Sequence, residues 1–359
     1  MKGEVVYLYA FDVANGIIIG KVGEVLASKP VPLEINIDHT IPKDTPLYKP
    51  LSIELAPLNT LITGHLIRPM IHVYEIGAIS IAMRVSVEIE NLNELMPFHM
   101  PTLENGKSLS EAAKEICIDA CKSLKDVMVQ PSDFSEPEAY TVFCLTDIGN
   151  QPDLDEWLVN NRTAIAELLT ESKPGLLDEM QVDEVMRIQY AYAKGDLTII
   201  DWDAAFVVDL TGYVDDVLYV LELANLQLEE YLAMDKKLDG YLNKAYEDVK
   251  SHNLRLFRSY PKILKTLRVL SVDVIKLNDE VTNITKFFGD WYLARVYLGA
   301  HERFHLEQWR NSVGARLKQL DSIYTVVHSE ITNFRMLSME ALIVIFFAID
   351  LLMLFFLRH

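Results

Sequence analysis

Residues 341–357 read ALIVIFFAIDLLMLFFL. As a helix they extend about 25 Å at 1.5 Å per residue, a little short of a hydrocarbon core of about 30 Å. Beginning instead at Met336, and so taking in Leu337 and Met339, lengthens the run to about 33 Å, enough to cross. Asp350 opposes insertion. A midspan aspartate costs about 2.5–3.5 kcal/mol, whereas the thirteen Leu, Ile, Phe and Val residues of the stretch each return up to about 0.3–0.6 kcal/mol. The sum favours insertion, so 336–357 is predicted to be a transmembrane helix, with Arg358 and His359 at the far interface. The competing reading, a core helix of a soluble domain, would have to hide a helix that is apolar on every face. An intramembrane acid usually faces a partner, so Asp350 points to self-association or to a membrane partner; the bland alternative is a protonated side chain tolerated in a monomer. Arg335 and Arg358 do not discriminate orientation, which is expected to follow from synthesis, the short tail being threaded across after the rest has folded.

Working back from the span, the chain is helical. Pro261 is the last proline, so no breaker of that kind interrupts the remaining residues. Val313, Leu317, Leu320, Tyr324, Val327, Ile331 and Phe334 step by three and four and lead straight into the membrane segment. Leu267, Leu270, Val274, Leu277, Val281, Ile284 and Phe288 form a similar coiled-coil-like seam, closed by a stop and new N-cap at Gly289-Asp290. Upstream, Val217, Leu221, Ala224, Leu228 and Leu232, then Leu238, Leu242, Ala245 and Val249, outline a third long helix ending near Ser251-His252-Asn253. Three long helices in series predict an antiparallel bundle.

The first half has another texture. β-Branched and alternating runs at Val5–Val13, Gly16–Val25, Leu51–Ala56 and Ile71–Glu90 predict strands joined by turns. A helix is expected from Ser108 to about Met128 with Ser110 as a cap, a strand at Tyr140–Leu145 and a helix at Leu154–Glu171. Further strands at Ile188–Tyr192 and Leu197–Val208 flank the Lys194-Gly195-Asp196 turn. The expected organisation is an α+β domain over 1–210, a long-helix antiparallel bundle or coiled-coil stalk over 211–335, and one C-terminal transmembrane helix over 336–357.

Composition bounds function. A chain of 359 residues with 50% hydrophobic content is globular, and a net charge of −19 argues against direct nucleic-acid binding, which needs clustered Lys and Arg. Cys117, Cys121 and Cys144 form no C-x-x-C pair, and an odd count fits a reducing compartment. Cys117 and Cys121, one helical turn apart, read as buried small apolar groups. No secretory signal or transit peptide is visible, so the bulk is expected to stay on the side where it was made.

One motif carries chemistry. His301-Glu302-Arg303-Phe304-His305 is a literal H-E-x-x-H, which on a helix sets two imidazoles one turn apart to grip zinc, with the glutamate activating the bound water. A catalytic zinc needs a third protein ligand. His328 and Glu330 lie too far along what reads as one uninterrupted helix, about 35 Å at 1.5 Å per residue, leaving only upstream residues such as His72 or His252. The bland reading, a solvated or bundle-packed helical face, is the one adopted, with no metal and no cofactor expected. Gly16, Gly20 and Gly23 have no Lys-Ser/Thr after them and support no phosphate loop. Asp201-Trp202-Asp203 reads as a solvated edge at a turn.

The approach to the membrane, Asn333-Phe334-Arg335-Met336-Leu337-Ser338-Met339-Glu340 followed by an apolar run with an acid at Asp350, resembles the C-terminus of the family named "required for meiotic nuclear division", which also takes in YagE-like bacterial proteins. Asp215-Asp216-Val217-Leu218 with Leu223-Ala224-Asn225, the segment from Gly289 through Trp309, and the opening Tyr9-Ala10-Phe11-Asp12-Val13 are similar in style. The resemblance implies a domain of unknown function and a single-pass membrane protein without catalytic residues. It also implies a tethering role, linked in mitochondrial members to organelle translation, and the missing presequence favours a bacterial inner membrane with the bulk of the chain cytoplasmic. The expected function is a non-enzymatic, membrane-anchored interaction or scaffold protein whose partners are the bilayer and a protein or a second copy. The alternatives are a membrane-tethered zinc hydrolase using His301, Glu302 and His305, and an oligomeric ion pathway lined by Asp350.

Overall fold

The computed structural model describes residues 1–22, 50–62, 64–132, 136–149, 153–210, 212, 214–250, 265–275, 277 and 291–356. They fall into two compact units, one of Met1–Ala233 with Leu277–Trp309 and one of Met234–Lys276 with Arg310–His359.

The first unit is built on a nine-stranded sheet. Its strands are β1 (Lys2–Asp12), β3 (Leu51–Glu54), β4 (Leu58–Asn59), β5 (Leu66–Val73), β6 (Ala78–Glu88), β8 (Glu138–Asp147), β9 (Gln189–Tyr190), β10 (Asp196–Ile200) and β11 (Ala204–Asp209). They run in the order β3-β5-β6-β1-β8-β11-β10-β9, with β4 also paired to β5. A two-stranded ribbon joins β2 (Ala14–Ile17) to β7 (Met128–Pro131). The pair β8 and β11 is parallel and the others are antiparallel. Parallel neighbours need a crossover. Helix α1 (Leu109–Leu124) precedes β8, and the connection from β8 to β11 runs through α2 (Leu154–Leu169), α3 (Glu179–Val185), β9 and β10.

The central strand β1 is buried on both sides. Val5, Tyr7, Tyr9 and Phe11 join the core shared with α1, α2 and α3, while Val6, Leu8 and Ala10 are equally inaccessible on the other face. That second face is covered by helices beyond residue 210: the first part of α4 (Val214–Lys250), and α5 (Trp291–Arg303). Asn225 of α4 donates to the Glu138 carbonyl and Tyr292 of α5 meets Thr198 at 3.0 Å. Arg84 ties the first turn of α4 to the sheet through Asp215 at 2.6 Å and Glu4 at 3.3 Å. The compact unit built on the sheet takes in these helices as well as residues 1–210, because a sheet apolar on both faces needs a helical layer on each.

Local readings differ in four places. The cap of α1 is Ser108 with Glu111 closing a reciprocal capping box, one turn-start earlier than Ser110. The run expected at Gly16–Val25 is strand only to Ile17, followed by a 3-10 turn at Ile19–Lys21, and residues 23–25 lie outside the described residues. The run at Ile71–Glu90 is two strands. Gly77 turns between them at φ +101°, where a Cβ would run into the Ala14 carbonyl oxygen. Asp201 is buried, not a solvated edge.

In the second unit, α4 lies beside α6 (Leu306–Phe356), a helix of 51 residues. Asp235 meets Ser312 and Arg316, Asp239 meets Arg316, and Tyr246 meets Gln319. Residue numbers rise together on both helices, so the two run parallel. Leu238, Leu242 and Ala245 are buried in this unit, as are Leu267, Leu270 and Val274 and Val313, Leu320, Tyr324, Val327 and Ile331, while Leu277 is buried in the first unit. Val281, Ile284, Phe288, the Gly289-Asp290 cap, Pro261 and the Ser251-His252-Asn253 break lie outside the described residues.

Candidate functional site

The H-E-x-x-H segment does not occupy one helix. His301, Glu302 and Arg303 close α5, Phe304 and His305 form a turn, and α6 begins at Leu306. His305 sits at φ +52°, in the left-handed region, so the two imidazoles are not stacked one helical turn apart. His305 packs its ring 4.8 Å from that of Trp202, and Glu302 bonds Arg187 at 2.6 Å. The uninterrupted helix assumed from sequence is thus broken at the motif itself, and His328 and Glu330 belong to α6. Among the described residues no group of three His, Cys, Asp or Glu is placed to hold a metal ion. The other candidate ligand, His72, is engaged elsewhere, and His252 lies outside the described residues.

The residues inside the motif have structural partners. Arg303 is buried; it donates to the carbonyls of Ile200, Glu184 and Val185 and pairs with Glu184 at 2.9 Å and Asp201 at 3.2 Å. Burial pushes the Asp201 carboxyl up, and Arg303 opposes that shift. Phe304 lies edge-on to Tyr140 with centroids 4.9 Å apart. The segment anchors the turn from α5 into α6 against the β10–β11 hairpin.

Asp350 lies in the terminal part of α6, where every residue from Thr332 to Met353 is exposed. Among the described helices this one is long and apolar enough to cross a membrane.

A polar centre lies on the second face of the sheet. Cross-strand register sets Ser52 of β3 opposite His72 of β5, and His72 opposite Ser80 of β6. Direct partners point to the same side, here toward α4, which delivers Glu222: His72 Nδ1 lies 2.7 and 2.9 Å from its two carboxylate oxygens. Both side chains are 5% exposed, a value at which an unpaired charge would not persist. Burial pushes the Glu222 carboxyl up. The His72 charge and hydrogen bonding from His72, Ser80 and Tyr74 outweigh it and hold the group below the usual carboxylate range. Tyr74, wholly buried, is pushed well above the usual phenol range by burial and then by Glu222 and Tyr219. Further along the same face, in register with Ala10, stands Glu138, pushed up to about 7 by burial and by Asp203. Sequence reasoning reached His72 only as a distant zinc ligand and missed Glu222, whose place on the buried side of the third long helix was its one visible signal.

The model for the N-terminal domain of the uncharacterised protein MJ0711 matches residues 2–215, over half of the chain. The chain belongs to the MJ0711 N-terminal domain family. The uncharacterised protein MJ0711 of Methanocaldococcus jannaschii is 23% identical to it over 216 residues, 60% of this chain. The match spans 65% of that relative's own length. No solved structure matches. The MJ0711 domain match ends as α4 begins, so Ser52, His72, Tyr74 and Ser80 belong to the family domain and Glu222 and Asn225 come from the helix after it. A domain of unknown function was expected, and that is what the MJ0711 match gives; it does not single out the meiotic nuclear division family.

Proposed function

We propose that this protein is a membrane-anchored interaction protein, in which the end of α6 crosses the bilayer once and holds the sheet domain at the membrane surface for a protein partner. One observation carries the reading: from Met336 to Met353 the helix presents Leu, Ile, Val, Phe and Met on all sides with no protein layer over them. A continuous apolar surface of that extent marks a membrane or protein contact. The parallel contacts of α4 with α6 support a helical stalk between domain and span, and the resemblance to the meiotic nuclear division family supports a tether with its bulk in the cytoplasm. The domain is read as non-enzymatic, with Asp350 directed at a partner helix or a second copy.

Fractionation with crosslinking in cells tests this. The full chain should resist alkaline carbonate extraction, a chain ending at Arg335 should be soluble, and crosslinking should trap a stoichiometric partner or a second copy. Recovery of a carbonate-extractable monomer with no bound protein would overturn the reading. Stoichiometric zinc in the purified protein would instead favour the hydrolase reading of His301, Glu302 and His305. A monomer in detergent would exclude an ion pathway lined by Asp350, which needs several helices around one axis.

A further inference from the structure

The sheet ends on β9, and one side of that strand is open. β10 pairs one side of it, and among the described residues no strand pairs the other. The Ile200 N–H donates to the Ile188 carbonyl, and Tyr190 stands opposite Thr198. In an antiparallel ladder the backbone groups of Gln189, between them, therefore point away from β10. Gln189 is exposed.

Beside this edge, α5 carries Trp291, Arg295, Leu298 and Glu302 along its exposed face, spaced four, three and four. Glu302 is taken by Arg187. The Arg295 guanidinium lies 5.2 Å from the centroid of the Tyr190 ring and 5.6 Å from that of Trp291, and Trp291 lies 5.9 Å from Tyr192. Trp291, Tyr192 and Leu298 are 56%, 59% and 51% exposed, so this is an open apolar surface around a cation. Arg84, Arg162, Arg187 and Arg303 of the same unit each hold a carboxylate. Among the described residues Arg295 holds none, in a chain of net charge −19; its partners are the two rings, which leave its N–H donors to an outside acceptor.

We propose that β9 and the exposed face of α5 form a docking surface for an extended segment of a partner protein, which adds to the open edge as a strand and gives Arg295 an Asp or Glu carboxylate. Such a surface rests on the interaction reading above and gives it a place and a partner chemistry. Gln189 supplies an N–H and a C=O for main-chain bonds, which favour any extended chain. Selectivity comes from the side chains. Arg295 is steadied by two rings before binding, so ordering it costs less when a carboxylate arrives. Trp291, Tyr192 and Leu298 take an apolar side chain of the same segment, and Trp, Tyr and Arg are the residue types that dominate interface energies. A second copy fits poorly, because two-fold pairing of β9 with β9 would bring two Arg295 patches into one interface. An anionic bilayer is repelled by the net charge of the chain, whereas a single acidic side chain meets the local cation.

The test puts photoreactive benzoylphenylalanine in place of Leu298 of the full chain in its own cells, with Met180, 82% exposed on α3, as the control position. Irradiation should give a protein adduct several-fold stronger from position 298 than from 180, and mass spectrometry should place it in a segment that carries Asp or Glu. Arg295→Glu should weaken the adduct several-fold, and exchanging the partner's acid for Arg should restore it. Gln189→Pro removes the outward N–H at an edge position, where proline is tolerated, and should weaken it too. Melting temperatures are read alongside, and Gln189→Pro serves where Arg295→Glu fails to fold. No adduct from position 298, an adduct to lipid or to a second copy alone, or one that Arg295→Glu leaves undiminished overturns the docking surface. If amine-reactive crosslinking of the same cells still traps a stoichiometric partner, the interaction reading stands and this surface alone has failed.

Discussion

At the residue scale the His72–Glu222 contact is the most exacting interaction in the sheet domain, because two groups that titrate are held together at 5% exposure. Removing one partner strands the other. Glu222→Ala should therefore cost about 3–5 kcal/mol, whereas replacing both residues by leucine should cost less, and urea unfolding of the two variants beside wild type in detergent checks the order. The pH dependence has a definite sign. Glu222 is held below its ordinary value of 4.5, so the unfolded chain binds that proton more readily. Its stabilisation is present above pH 4.5 and falls away as pH drops through the lower folded value; Glu222→Gln should flatten that acid limb. Glu138 behaves oppositely. Its folded value of about 7 means the folded chain keeps a proton that the unfolded chain releases from 4.5 upward, so stability declines as pH rises across that window. Glu138→Gln should raise the melting temperature at pH 8 and leave it little changed at pH 4. None of this was legible in the sequence. His72 and Glu222 are separated by 150 residues, and Glu222 sits beside Leu221 and Leu223 in a helix whose apolar stripe accounts for itself.

At the element scale the sequence reads well wherever periodicity is local. The strands at β1, β3 and β8, the helices α1, α2 and α4, and the turn at Lys194-Gly195-Asp196 all lie where alternation or three-four spacing puts them. It reads poorly where a single residue interrupts a strong pattern. From His301 to Glu330 the sequence reads as one uninterrupted helix, and no Gly or Pro at residues 304–305 marks the break. The cause is tertiary: Arg303 is drawn to the Ile200, Glu184 and Val185 carbonyls and to Asp201, and Phe304 to Tyr140. Arg303→Ala should cost about 3 kcal/mol by leaving Asp201 buried and unpaired. His305 adopts φ +52°, tolerable for histidine and free for glycine, so His305→Val should lose about 1–2 kcal/mol and His305→Gly much less. Thermal melts of the three variants decide whether the break is imposed by contacts or by the turn. Close approach also constrains α5, where Gly299 lets the helix pack against β9. A Cβ there would lie 2.5 Å from the Tyr190 ring and 2.9 Å from Ile188, so Gly299→Ala should destabilise by about 1–3 kcal/mol.

At the scale of the whole molecule, two long helices serve two purposes each. The first part of α4 belongs to the sheet unit and its remainder to the helical unit, and α6 begins in the first unit and continues through the second to the apolar end. A domain boundary drawn from composition, at the last strand, misses this sharing because burial of a sheet's second face leaves no compositional step inside a helix. The apolar end is the opposite case, legible from composition alone because neither pattern nor partner is needed to recognise it. Asp350 tests what that end does. If the span merely anchors, Asp350→Leu removes a cost of about 2.5–3.5 kcal/mol and should leave membrane retention intact or stronger, with unchanged crosslinking. If the acid faces a partner helix, the same substitution should keep the protein in the membrane fraction while abolishing the crosslinked species, and Asp350→Asn, which retains hydrogen-bonding capacity, should preserve much of it. We expect the second pattern, since an acid kept in an otherwise uniform apolar run is more readily explained by a contact than by its absence.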